Sequence, residues 1–328
     1  MALTWGDLNG KVHDKIIPTV ADVIYKSSPV FIRIRTQNAQ QFDGGVKIRQ
    51  NIGYAELNGG PFGRGQSFDT AYVPTDTAFE VNPKFYYVNI SLYGTDDVLA
   101  RGAQQAVPFV GSKIANAAGK MAKLIATDLY LDGLGTGSST LSIDGFNQWF
   151  DNGNTFTSVG GITRTDVGVS NGTNSQGVNG YVASLSSGFT LKAVEIAMGS
   201  AWFGREHVDL LVSDQNSWNW FFNKLQPMQR FNEESSDVAK SGFRSFQFVG
   251  AQVVVDQYAP TGSMYGINSK SENLAFYSST LKRYQFGFTG FKEIYNSDDR
   301  SGQYLWAGNM IVSNPRYNFR LTNIPTLS

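Results

Sequence analysis

The sequence predicts a mixed α+β chain, on three observations. Apolar residues after Pro108 recur at helical spacing; a helix, a strand and a second helix follow one another between Thr190 and Leu225; and the final third is a succession of extended runs separated by turn residues. With 328 residues the chain forms one large domain or two moderate ones, and a protein of this length hides roughly three quarters of its unfolded surface.

Composition narrows the function. Apolar residues make up 41% and charged residues 16%, below the roughly 25% charge of an average domain, so much of the surface is neutral polar or contact-forming. Lysine plus arginine equals aspartate plus glutamate at 27 each. No global basic field exists to grip nucleic acid through counterion release, and any DNA contact is local or weak. The absence of cysteine excludes disulfides and thiolate metal sites. Met1 to Lys15 carries Asp7, Lys11, His13, Asp14 and Lys15 without an apolar core, which predicts no secretory signal. No apolar run reaches the length of a membrane-spanning helix.

From Asp7 to Tyr25, Leu8, Val12, Ile16, Val20 and Val23 fall mostly three or four apart, interrupted by Pro18. The segment reads equally as a packed helix or as an arm lying on another surface. Val30-Phe31-Ile32-Arg33-Ile34-Arg35 alternates near its end and reads as extended strand, continued by Val46, Ile48, Ile52 and Tyr54. A turn-rich Asn58-Gly59-Gly60-Pro61-Phe62-Gly63-Arg64-Gly65 follows, then a second extended run from Val81 to Tyr93 centred on Phe85 to Ile90. Together they describe a long two-stranded excursion with a glycine-rich tip. It displays Tyr54, Phe62, Phe68, Tyr72, Phe79, Phe85, Tyr86 and Tyr87, and a solitary hairpin is marginal in water. It packs either on its own domain or on a partner; periodicity does not separate the two.

The clearest helix spans Pro108 to Asp132, after a short helix expected at Thr95 to Arg101. Its apolar face is Val110, Ile114, Ala117, Met121, Leu124, Ile125 and Leu129, with Lys113, Asn116, Lys120, Lys123 and Asp128 on other faces. Gly133 and Gly135 supply the stop; at 1.5 Å per residue the helix is roughly 37 Å long. Between Gly133 and Gly188 glycine, serine, threonine and asparagine dominate, and Val167 to Gly177 reads as an exposed loop. The sequon Asn171-Gly172-Thr173 has no meaning without secretion. Thr190 is placed to cap Leu191 to Met198, Gly204 to close that helix, Val208 to Val212 to form a buried strand, and Ser213 or Asp214 to cap a helix bearing Trp218, Phe221, Phe222 and Leu225. Strands are expected at Phe246–Phe248, Val253–Val255, Ser263–Ile267, Asn273–Tyr277 and Tyr304–Val312.

Catalytic chemistry finds little support. His13 and His207 lack a metal or triad context, and Ser213-Asp214 has neither a nearby histidine nor a nucleophile elbow. The carboxylates Asp96-Asp97, Glu233-Glu234 with Asp237, and Asp298-Asp299 read as solvated charges rather than a glycosidase pair. The glycine-rich tip has no Gly-Lys-Ser ending and no following helix, so it is not a phosphate loop. Arg33, Arg35, Lys47 and Arg49 read as a solvent face. No catalytic, cofactor-binding or metal-ligating residue is predicted.

The order of elements resembles the major capsid proteins of tailed bacteriophages, the Hong Kong 97-like fold, over nearly the whole chain. The local patterns that agree are Gly160-Gly161-Ile162-Thr163-Arg164, Val208-Asp209-Leu210-Leu211-Val212-Ser213, Phe248-Val249-Gly250-Ala251-Gln252-Val253-Val254-Val255-Asp256, Tyr304 to Met310 and Asn314-Pro315-Arg316. The resemblance implies an N-terminal arm (1–29), an extended loop with flanking strands (30–94), a spine helix and peripheral-domain segment (95–188), an apical domain (189–265) and C-terminal strands returning to the peripheral domain (266–328). It also implies hexamers and pentamers in which the loop of one subunit lies across its neighbour, through Tyr54, Asn58, Pro61, Phe62, Arg64, Phe68 and Tyr72. The spine core is expected at Val110, Ile114, Met121, Leu124 and Ile125. Implied partners are copies of the chain, scaffolding and portal proteins, and double-stranded DNA held weakly, with no membrane and no cofactor. The implied location is the virion capsid, with assembly in the host cytoplasm. About 30 residues precede the first expected strand, so either scaffolding is separate or the chain is already mature. Lys47 and Lys84 match no crosslinking pattern, and none is predicted. An encapsulin-like nanocompartment shell is the alternative; a carbohydrate-binding β-rich protein is a more distant one.

Overall fold

In the computed structural model the described residues are 28–95, 109–133, 141–164, 178–186, 188–225 and 245–325. The arm before Ser28, the helix expected at Thr95 to Arg101, the 167–177 loop with its sequon, His13, Asp96-Asp97 and the Glu233-Glu234-Asp237 group lie outside them.

The first element overturns an expectation. Val30 to Arg35 is not a strand but part of helix α1, Pro29–Gln37. Ser28 Oγ accepts from the Phe31 amide at 3.2 Å, and Pro29 occupies the first helical position. Val30, Phe31 and Ile34 are buried on one face, with the Phe31 ring set edge-on to Phe276 at 6.0 Å. The β-branched residues lose their extended preference to this packing.

After β1 (Ala39–Phe42) the chain enters the excursion, and here the pairing differs from the sequence reading. Strand β2 (Ile48–Gly53) pairs antiparallel with β3 (Asp76–Val81), from Ile48 opposite Val81 to Gly53 opposite Asp76. The aromatic run centred on Phe85 to Ile90 does not return along the hairpin. It forms β4 (Lys84–Leu92) in another sheet. Asn82-Pro83 separates the two strands, since proline has no amide to continue a ladder.

The spine helix α2 runs Phe109–Asp128, about 30 Å, and is followed by tight turns that end at Gly133, whose φ is +79°. Met121, Ile125 and Leu129 are fully buried. Val110, Ile114 and Leu124, expected in the core, are only partly buried; Ala126 and Tyr130 are buried instead. A short helix α3 (Phe146–Trp149) and the hairpin β5 (Ser158–Val159) and β6 (Ile162–Thr163) follow. Gly160 and Gly161, at φ +55° and +78°, make the hairpin turn that only glycine adopts readily. A Cβ on Gly160 would stand 2.7 Å from the Phe79 ring. Buried Arg164 then ties the segment down, donating to the carbonyls of Phe156, Val178 and Gln148, and burial lowers its pKa to about 10.

The remaining elements are β7 (Tyr181–Ser184), α4 (Leu191–Ser200), β8 (Leu210–Ser213), α5 (Gln215–Leu225), β9 (Ser245–Phe248), β10 (Ala251–Val255), β11 (Met264–Ile267), β12 (Leu274–Ser279), β13 (Gln285–Phe288), β14 (Lys292–Glu293), β15 (Arg300–Val312) and β16 (Phe319–Thr322). Thr190 caps α4, accepting from the Ala193 amide at 3.2 Å.

These strands build two six-stranded sheets. In the first, β15 is the axis: it pairs with β4 along nine residues, with β12 toward its end, and with β13 and β14, while β1 extends β12 in parallel. Helices α1 and α2 cover one face, where Trp306 stacks on Phe276 at 5.1 Å and meets Tyr86 at 5.5 Å. On the other face Phe85 and Tyr87 are exposed, consistent with the alternating burial of β4.

The second sheet runs β7-β16-β11-β8-β10-β9. It draws β7 and β16 from outside 189–265, so the C-terminal strand Phe319–Thr322 closes this sheet and not the first. Alternate residues serve two cores: Leu211, Val253, Met264 and Leu321 face α4 and α5, whereas Leu210, Val212, Val254 and Ile267 join the core shared with the spine helix. Burial on both faces explains why Leu210-Leu211-Val212 reads as an unbroken apolar run. Asp256, ending β10, joins three segments by accepting from Ser28, from the Tyr130 hydroxyl at 2.9 Å and from the Tyr258 amide at 3.0 Å.

Candidate assembly interface

The stem of the excursion is anchored to its own subunit. Ile48, Phe79 and Val81 are buried in the main core, Phe79 stands edge-on to Trp149 at 5.3 Å, and the Glu80 amide donates to Gly160 O at 2.8 Å. On the outer side Glu80 accepts from Lys47 at 2.6 Å and Arg49 at 2.8 Å. The Lys47 ammonium bonded to it, with Arg49 beside it, holds the Glu80 carboxyl below the usual range.

Beyond the stem the character changes. Every residue from 56 to 72 is exposed, and the segment has no strand or helix. Its order is local: Asn58 Nδ2 donates to Asp69 at 2.8 Å, the Gly63 amide to Gln66 Oε1 at 3.0 Å, and the Phe62 and Phe68 rings meet edge to face at 5.1 Å. Phe62, Phe68 and Tyr72 are nonetheless 69%, 67% and 90% exposed. Asn58, Pro61, Phe62, Arg64, Phe68 and Tyr72 therefore sit together on the projecting part, while Tyr54 stands at its base, partly buried against the subunit's own core.

The groups weighed for chemistry do not converge. Ser213 is fully buried, His207 lies beside the Trp202 ring at 5.4 Å, and exposed Asp298 and partly buried Asp299 lie in the turn before β15. Among the described residues no group of three or more His, Asp or Glu is placed to hold a metal, and no helix is long and apolar enough to cross a membrane. Two partly buried carboxylates lie elsewhere: Asp128 bonds the Tyr86 hydroxyl at 2.5 Å, and Asp144 accepts from Asn309 at 2.9 Å with Lys84 at 4.0 Å. Burial raises the pKa of Asp128, Asp144 and Asp256.

No family model matches the chain, and no curated protein matches it. Solved structures do. The subunit in the capsid asymmetric unit of cyanophage A-1(L) superposes with a TM-score of 0.70 at 14% identity, over 98% of this chain and 99% of that one. The chain has the Hong Kong 97-like capsid fold. Among other chains with this capsid fold, one from the capsid of a native GTA particle gives a TM-score of 0.67 at 11% identity over 96% of both chains. The SrpI encapsulin of Synechococcus elongatus PCC 7942 gives 0.62 at 8% identity over 100% of this chain and 98% of that one. In chain order α2 stands where the expected spine helix falls, and the projection carried by β2 and β3 lies within the expected extended loop.

Proposed function

We propose that the chain is a major capsid protein that closes, as hexamers and pentamers, into an icosahedral shell around double-stranded DNA. The observation that carries this reading, beyond the fold, is the extended loop: a stem packed into the core presents Phe62, Phe68 and Tyr72 to solvent. Exposed aromatics held on an anchored projection suit a partner surface. The loop of one subunit lies across its neighbour, with Asn58, Pro61, Phe62, Arg64, Phe68 and Tyr72 in contact and Tyr54 packed at the base. Closed symmetry then multiplies individually modest contacts into a stable container.

In this reading the role is structural rather than catalytic. The residues before α1 are assigned to the arm, the first sheet with its helices to the peripheral domain, and the second sheet, including Tyr181–Ser184 and Phe319–Thr322, to the apical domain. Scaffolding and portal proteins are the expected assembly partners, and assembly takes place in the host cytoplasm.

Expression of the chain alone and with candidate scaffolding, followed by negative-stain electron microscopy and light scattering, tests the reading. Closed shells or capsomer rings are expected; a monomer under every condition overturns it. The encapsulin likeness supports a second reading, a nanocompartment shell. Particle contents separate the two: genomic DNA in one case, protein cargo in the other.

A further inference from the structure

The sequence holds five Asn-Gly pairs, beginning at Asn9, Asn58, Asn152, Asn171 and Asn179. In such a pair the glycine nitrogen can close on the asparagine side-chain amide, because no Cβ shields it and the backbone bends freely. Three of the pairs lie among the described residues, and their surroundings differ. The Gly153 amide donates to Asp151 Oδ2 at 3.0 Å, and the Gly180 amide to Asp151 O at 3.0 Å. Gly180 is also buried, with Phe150 O 2.8 Å from where a Cβ would stand. Both nitrogens must break a native hydrogen bond before they can turn on their asparagines. Asn58 and Gly59 are exposed. Beyond its chain neighbours no heavy atom stands within 4 Å of the Gly59 Cβ position, and no described residue accepts from its amide.

Asn58 also has a structural task. Its Nδ2 donates to Asp69 Oδ2 at 2.8 Å, closing the part of the loop that carries Phe62, Arg64 and Phe68. Asp69 Oδ1 accepts from the Ala71 amide at 3.0 Å, which holds the carboxylate in place. Inside this clasp stand the Gly63–Gln66 hydrogen bond and the contact between the Phe62 and Phe68 rings.

Resting on the capsid reading for its consequence, we propose that Asn58 is a site of spontaneous deamidation, and that its conversion opens the loop tip and withdraws free subunits from assembly. The Gly59 nitrogen bonds to Asn58 Cγ and gives up its proton; the Cγ–Nδ2 bond breaks and Nδ2 leaves as ammonia. Water then opens the succinimide ring at either carbonyl, to aspartate or to isoaspartate. One water enters, one ammonia departs, and nothing is oxidised or reduced. The product sets a carboxylate against the Asp69 carboxylate where a donor met an acceptor, so the clasp becomes a like-charge repulsion. Isoaspartate also adds a methylene to the main chain at the same point.

Peptide mapping by mass spectrometry, on the full-length chain held as free subunits at mildly alkaline pH, tests the site. Asn58 should convert many-fold faster than Asn152 and Asn179, at a rate that rises with pH; conversion no faster than theirs overturns the site. Gly59→Ala fits the open space, since the Gly59 φ is not positive. It should keep the parental Tm and slow conversion at Asn58, and an unchanged rate also overturns the site. Light scattering then compares aged subunits with fresh ones of the same variant. The aged parent should lose assembly in proportion to the fraction converted, aged Gly59→Ala should not, and Asn58→Asp should assemble as poorly as fully converted parent. Undiminished assembly by Asn58→Asp, or an equal loss in aged Gly59→Ala, overturns the consequence. If fresh subunits form no shell under any condition, the capsid reading falls and the consequence with it, whereas the peptide map still decides the site.

Discussion

At the scale of single residues, burial separates side chains that periodicity treats alike. Met121 is fully buried and Leu124 only partly, although both lie on the predicted apolar face. Met121→Asp places an unpaired carboxylate in the core and is expected to cost several kcal/mol, against about 1 kcal/mol or less for Leu124→Asp; denaturant titration of the two variants compares them, and equal losses would show that the spine helix is seated differently. Asp128, Asp144 and Asp256 bear on pH dependence. Burial raises their pKa values above 3.8, so between those raised values and 3.8 the folded subunit binds more protons than the unfolded chain. The free subunit should therefore gain stability as pH falls from neutrality through the raised values. Glu80 and Glu206, whose pKa values are lowered from 4.5 by Lys47 and Lys270, act oppositely, and their contribution disappears only at lower pH. Calorimetric Tm measured downward from pH 7 should rise first, and Asp128→Asn/Asp144→Asn should flatten that rise; a steady fall in the parent protein contradicts the assignment.

At the scale of elements, the start of α1 and the extended loop show local and nonlocal terms in competition. Ser28 both caps α1 and donates to Asp256. Ser28→Ala removes a cap worth about 0.5–2 kcal/mol and one donor from a buried carboxylate, so its measured loss should exceed that of a cap alone. The loop is the reverse case, since every residue from 56 to 72 is exposed and its hydrogen bonds and ring contact are local. Deleting Asn58 to Gly65 should leave Tm within a few degrees of the parent while abolishing or slowing shell formation in light scattering. Assembly at the parental rate would place the subunit contacts elsewhere.

At the scale of the whole molecule, the loop projects exposed aromatic surface from the two large sheets, and the capsid reading predicts that a neighbouring subunit covers it. Trypsin offers a direct measure, because Arg64 lies on the exposed loop. Cleavage at Arg64 should be rapid in free subunits and strongly suppressed in closed shells; equal rates would mean that the loop stays solvated after assembly. Much of this architecture was legible in advance. The spine helix, α4 behind Thr190, β8, β10, β11 and β15 each carry their own period and punctuation, and their order carried the resemblance to the capsid fold. The projecting residues were legible as aromatics beside glycine and proline, with no buried period to absorb them.

What the sequence by itself determined was local: where a 3.6-residue or two-residue period begins, which residue caps it, which glycine or proline stops it, and the balance of 27 basic against 27 acidic residues. Tertiary structure decided the rest. It turned Val30 to Arg35 into helix, because Phe31 gains more from Phe276 than a β-branched run gains from extension. It sent Lys84–Leu92 away from the hairpin to pair with Arg300–Val312, over two hundred residues distant, and closed the second sheet with Phe319–Thr322. Strand partners and burial are contacts between remote segments, and no local period encodes which remote segment arrives.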